Sequence, residues 1–174
     1  MTAHPLDPGV VRPTAPPAGG PIVLGTEFGE VSTAAERVAI ALAQRAGVPL
    51  LIVHGIVPRR LRVPGGRFLQ RVDQAHAARE AAAIPLLDRV RRAGVEPQLL
   101  IWDGEPASCI LEAARAEGAA RIVVGSHGRG RIGRAIIGSV SATVADGASC
   151  PVDIVRGDGA PDDIVTVGPA LDRA

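Results

Sequence analysis

The sequence contains no lysine and no tyrosine; all 19 of its Lys/Arg positions are arginine. That excludes a P-loop lysine, Schiff-base chemistry and a tyrosine acid or nucleophile. Aromatic bulk is scarce too, with two Phe and one Trp among 174 residues. The apolar share of 47% still supplies a sizeable core, which must be built from Val, Ile, Leu and Ala. Cys109 and Cys150 form no CxxC and lie in apolar segments, so they read as reduced core residues, and no Cys/His cluster has zinc spacing. No apolar run approaches the ~20 residues of a membrane span. The N-terminus lacks a basic stretch leading into an apolar one, so no signal peptide is expected and a cytoplasmic location is. A net charge of +1 provides no global field for nucleic acid or an anionic membrane, and neither is expected as a partner.

The length fits one domain with tails. Residues 1–20 are rich in Pro, Gly and Ala without periodicity and read as a disordered arm. From Pro21 onward, short apolar runs alternate with helical patterns. "PIVLG" is a first strand, followed by the loop "TEFGEVS" and a helix from Thr33, with Glu36 in capping-box register and Gly47 closing it. "PLLIVHGIV" is a second strand. Residues 67–93 form a long helix that Pro85 should kink or split. "VEPQLLI" is a third strand, and the next helix has Pro106 near its start and Gly118 past its end. "RIVVG" is the fourth strand, a helix runs from about Ser139 to Asp146, and "PVDIV" is the fifth strand.

This βαβαβαβαβ order predicts an α/β, Rossmann-like, doubly wound parallel sheet of five strands with helices on both faces. Right-handed crossovers give the strand order 3-2-1-4-5. Strands 1 and 4 then flank the topological switch point, where such sheets bind ligands. The folded domain is expected over 21–156. In 157–174, "DIVTV" has the makings of an edge strand, but its Gly, Pro and Asp neighbours favour a loose tail.

Five glycines and three arginines crowd residues 125–138, "GSHGRGRIGRAIIG", directly after the fourth strand. "GRGRIG" fits the GxGxxG dinucleotide fingerprint only weakly, because that motif belongs after the first strand and needs an acid at the end of the next one. The wider spacing G-x2-G-x9-G-S, formed by Gly125, Gly128, Gly138 and Ser139, says more. Gly125 and Gly128 let the backbone leave the strand and approach a ligand closely. Gly138 and Ser139 stand at a helix start, where free N–H groups and the helix dipole favour phosphate. Arg129, Arg131 and Arg134 add positive charge to that loop, unless they are simply solvated.

In this spacing, in "SHG", in "CPV" before the last strand and in the loop "TEFGEVS", the sequence resembles the universal stress protein family from Pro21 to Arg156. The segment "IVHGIV" is similar to the family's second-strand "LLHVI". The resemblance implies an ATP site across strands 1 and 4. By position, Gly25, Thr26 and Glu27 would meet the adenosine and Gly55 would lie beside the base. Gly125, His127 and Gly128 would line ribose and phosphates, and Gly138, Ser139, Val140 and Ser141 would hold the phosphates. Glu27 stands where the family has Asp, and Gly55 where an apolar side chain usually packs on the base. Taken alone, Glu27 is equally a solvated loop acid. His54, in a buried strand, reads as a satisfied core histidine, while His4 and His76 carry no signal. Asp103 and Glu105 read as a turn and a helix start.

The resulting expectation is an ATP-binding sensor or interaction module, with Mg2+ accompanying the nucleotide and AMP or cyclic AMP as other ligands. No catalytic constellation stands out, so the chain is not expected to be an enzyme. The alternatives are an adenylating or ATP-hydrolysing enzyme on the same fold, and an interaction protein whose nucleotide site has decayed. "PVDIV", read as an edge strand, and the family's habit of pairing through it imply a homodimer through Pro151 to Val155.

Overall fold

A computed structural model describes residues 19–62, 67–126 and 138–169. His127, Gly128, Arg129, Arg131 and Arg134, and most of the expected N-terminal arm, lie outside the described residues. The elements are β1 (Ile22–Gly25), α1 (Thr33–Ala46), β2 (Leu50–Ile56), α2 (Phe68–Arg92), β3 (Pro97–Asp103), α3 (Pro106–Ala116), β4 (Arg121–Gly125), α4 (Ser139–Gly147), β5 (Val152–Val155) and β6 (Ile164–Val167).

The strands form one sheet in the order β3-β2-β1-β4-β5-β6. The first five in that order run parallel, as the sequence pattern requires. Strand residues alternate between faces, and the two cores follow that alternation. Ile22 and Leu24 join Leu50 and Ile52 against α1 and α2, while Val23, Leu51, Val53 and Val124 pack with α3 and α4 on the other face. With so few aromatics, the helices must approach closely to fill the interior. α1 does so through Ala35, Ala39 and Ala43, spaced four apart and at most 1% exposed. It ends at Gly47, whose φ of 66° is the left-handed conformation that glycine adopts without steric cost.

Three expectations are corrected. The segment after Arg156 is not a loose tail: β6 turns back and pairs antiparallel with β5, Val155 opposite Ile164 and Val152 opposite Val167. β5 is therefore interior, and pairing of two copies through Pro151 to Val155 is blocked by the chain's own last strand. The local turn residues misled because a strand's partner is supplied by tertiary pairing, which composition does not show. Asp153, an acid within the apolar run of β5, is 3% exposed and stitches three strands together. Its Oδ1 accepts from Arg121 of β4 at 2.7 Å and from the Thr166 hydroxyl of β6 at 2.6 Å. Thr166→Val keeps the β-branched shape but removes one donor to a buried carboxylate, so it should cost roughly 1.5 kcal/mol, read by chemical denaturation.

The second correction concerns α2, which Pro85 does not split. The proline sits on the exposed side, and Ala83, Leu86 and Val90 bury the opposite side on either flank of it. This anchoring offsets the lost helical hydrogen bond. The third is Glu36. Ser32, not Thr33, occupies the N-cap of α1, and no side-chain cap bond forms there. Glu36 instead points into the protein, 3% exposed.

Candidate functional site

At the carboxyl ends of β1 and β4 the sheet opens into a crevice with about 580 Å³ of empty space, its mouth included. The register puts Gly25 of β1 level with Val53 of β2 and Val124 of β4. Val53 and Val124 line the floor, Thr26 and Glu27 one rim, Gly125 the other, and Ile110 of α3 and Val140 of α4 the apolar side. A β-carbon at Gly25 would collide with the Ile110 side chain, so glycine there lets α3 close on the sheet.

Gly55 also lines the crevice, but the expected gap beside it is filled. A β-carbon at Gly55 would lie 2.7 Å from Pro106 Cα and 3.1 Å from the Gly104 carbonyl oxygen. The turn into α3 thus occupies the space a side chain would take, and Pro106 itself lines the crevice. The apolar wall comes from the neighbouring element.

The rim loop after β1 is held by polar contacts. The Thr26 hydroxyl donates to Glu36 Oε1 at 3.1 Å and accepts the Phe28 N–H at 3.0 Å. The Glu27 N–H reaches the Ser32 hydroxyl at 3.3 Å. Phe28 adopts φ 59°, an uncommon conformation for a residue with a β-carbon. Thr26 lines the crevice, and its hydroxyl is committed to Glu36 of α1. Glu27 is exposed on the rim and is the one charged residue among the described lining.

His54 is the satisfied core histidine the sequence suggested: Nδ1–H donates to the Thr26 carbonyl at 2.7 Å, and its ring lies 5.2 Å from that of Phe28. Burial is the main cause that pushes its pKa below the ordinary 6.5; the bond to Thr26 and Glu27 oppose the shift, and Arg79 adds to it. A base whose pKa is lowered on folding binds fewer protons folded than unfolded. Stability is therefore lost as pH drops through the unfolded value, and the loss levels off below the folded one. The denaturation midpoint of the parent should accordingly be lower at pH 5.5 than at pH 7.5. The difference should be smaller in His54→Asn, whose amide donates to Thr26 without titrating.

Of the start of α4, Val140 lines the crevice, while Gly138, Ser139 and Ser141 flank it in sequence and are not among the lining residues. Gly138 is the N-cap of α4, with φ −62° and ψ 155°, and intrahelical bonding begins when the Ala142 N–H reaches the Gly138 carbonyl at 2.9 Å. The first-turn N–H groups of Ser139, Val140 and Ser141 have no intrahelical acceptor, and the helix dipole makes that end positive. The Ser141 hydroxyl, expected to hold phosphate, is instead buried and donates to the Gly138 carbonyl at 3.0 Å. Ser139 is exposed at the helix tip.

Ser32, Val53, His54, Pro106, Ile110 and Val124 also line the crevice and were not read as site residues. For Val53 and Val124 the signal was present, since a parallel register places them beside Gly25. Pro106 and Ile110 arrive through helix packing, which no local pattern encodes. Asp103 and Glu105 take up structural contacts: His76 Nε2–H of α2 donates to Asp103 at 2.8 Å, and Glu105, at the N-cap of α3, pairs with Arg59.

The model of the universal stress protein family matches residues 20–156. A universal stress protein in the QAH/OAS sulfhydrylase 3'region of Thermus aquaticus is 37% identical over 142 residues, spanning 78% of this chain and 97% of that protein. A universal stress protein of Mycolicibacterium smegmatis is 29% identical over 143 residues, spanning 79% of this chain but 48% of its own length. The chain thus spans about half of that longer relative. Among solved structures, a universal stress protein in complex with cAMP superposes with a TM-score of 0.59 and 25% identity, covering 80% of this chain and 98% of that one. The universal stress protein of Archaeoglobus fulgidus in complex with dAMP shares the fold with a TM-score of 0.60 at 24% identity, covering 78% and 96%.

Proposed function

Because the chain belongs to the universal stress protein family, we propose that its crevice binds an adenine nucleotide and that the protein acts as a nucleotide-dependent sensor or interaction module. The observation that carries this reading is the start of α4 beside a crevice at the switch point between β1 and β4. Apolar Ile110 and Val140 with Pro106 offer surface to a base, and the first-turn N–H groups of α4, which have no intrahelical acceptor, offer donors to phosphate. The related structure holding cAMP supports the adenine class. ATP is the proposed ligand, with AMP and cAMP as competitors. Mg2+ would arrive on the phosphates, as it usually does, rather than in an all-protein cage. Among the described residues no group of three or more His, Cys, Asp or Glu is placed to hold a metal by itself.

A regulatory rather than catalytic role fits the crevice's polar groups. The Thr26 hydroxyl is bound to Glu36, the Ser141 hydroxyl to Gly138 and the His54 ring to Thr26, so each has a structural partner. We place the protein in the cytoplasm; no described helix is long and apolar enough to cross a membrane. Calorimetric titration with ATP and magnesium, AMP and cAMP, with GTP as control, tests the reading. Saturable heat is expected for adenine nucleotides. Absence of heat at millimolar ligand, for protein shown to be folded, would leave an interaction protein without a nucleotide.

A further inference from the structure

Glu36 is a buried acid on the core-facing side of α1, among Ala34, Ala35 and Ala39. Its two oxygens take donors from opposite directions. Oε1 accepts the Thr26 hydroxyl from the loop after β1, and Oε2 pairs with Arg89 of α2, 53 residues further along the chain. The Thr26 oxygen in turn accepts the Phe28 N–H, which closes a tight turn around Glu27 and holds Phe28 at φ 59°. Behind this loop lies an open cleft of about 470 Å³, bordered by Phe28, Gly29, Pro85 and Arg89. Beside this cleft the polar chain links the loop to α2.

From this geometry we infer that Glu36 is a positioning residue for the nucleotide crevice: through the Thr26 hydroxyl it sets the loop that carries Glu27 at the rim, and through Arg89 it ties that loop to α2. The inference rests on the nucleotide reading for its effect on affinity, but its effect on the loop does not. A charge buried in such surroundings is rarely a net gain in stability over an apolar residue, so its value is sought in the conformation it selects. A side chain that loses its acceptor releases Thr26, and with it the bond that fixes the Phe28 amide.

Three proteins test this: the parent, Glu36→Leu and Glu36→Gln. Glutamine keeps an oxygen where Thr26 donates; leucine keeps only the volume. In the nucleotide-free proteins, hydrogen exchange of the Phe28 amide should accelerate at least tenfold in Glu36→Leu and stay near parent in Glu36→Gln, with the Leu24 and Val53 amides unchanged as references. Affinity for ATP should fall about tenfold in Glu36→Leu and be largely retained in Glu36→Gln. A change in melting temperature without these two changes would make Glu36 merely structural and overturn the inference. So would a leucine variant with parental Phe28 exchange, whatever its affinity. A parent that takes up no nucleotide would sink the functional reading, and the exchange measurement would then decide the role of Glu36 alone.

Discussion

Replacing Gly138 by valine is expected to abolish the thermal stabilisation that adenine nucleotide would confer, while the nucleotide-free variant should remain folded. Gly138 has φ −62° and ψ 155°, a conformation open to any residue, so glycine is not required there by the backbone turn. Gly47, Gly94 and Gly118, by contrast, all have positive φ. The role proposed for Gly138 is to allow close approach by a ligand to the first turn of α4, which a β-branched side chain would obstruct. Valine is also a poorer N-cap than glycine, and about 1 kcal/mol of stability should be lost on that account. In the parent, nucleotide at a hundredfold excess over its Kd adds about 2.7 kcal/mol. For a chain of this size that raises the melting temperature by roughly 5–10 °C. The variant should show none of that rise. Ser139→Ala, which removes one hydroxyl but no N–H, should weaken binding by about 1 kcal/mol, or ~3 if the bond is charge-assisted. A Gly138→Val protein that melts early yet still gains stability from nucleotide would assign the glycine to the fold.

Gly55→Val is expected to destabilise the protein by roughly 3 kcal/mol, the upper end of overpacking penalties. The atoms a β-carbon would meet, Pro106 Cα at 2.7 Å, Pro106 N at 3.0 Å and the Gly104 oxygen at 3.1 Å, all belong to the backbone and cannot swing aside. Relief requires moving the turn between β3 and α3. Because α3 also supplies Ile110 and Pro106 to the crevice, nucleotide affinity should fall along with stability. Gly55→Ala should show the same effect, reduced. Guanidinium denaturation checks the first outcome, and an unchanged midpoint would mean that the turn yields freely.

The contrast between these two glycines shows what a sequence can and cannot say about this site. Continuous apolar runs, Gly47 and Pro106 made the strand–helix alternation legible, and the parallel order of five strands came from chain handedness. The place of Gly138 before a helix was legible as well, because α4 begins at the very next residue. The function of Gly55 was not, because its neighbours Gly104 and Pro106 arrive 49 and 51 residues later through the pairing of β2 with β3. The same holds for Glu36. Its spacing from Thr33 matches a capping box, but its partners are Thr26, ten residues back, and Arg89, 53 residues on. β6 was hidden for a related reason: no local pattern links Asp153 to Thr166, 13 residues on, and their 2.6 Å bond is a contact between two strands.

Adenine nucleotide lying between β1 and β4, against the start of α4, is the proposal on which the other expectations depend. Backbone amide shifts of the isotopically labelled protein, monitored during titration with ATP and magnesium, test it most directly. Binding at that place requires saturable changes concentrated at Thr26, Glu27, Gly125, Ser139, Val140 and Ser141, with β6 and the outer side of α2 unaffected. Saturable changes centred elsewhere, or none at millimolar nucleotide in the folded protein, would contradict it.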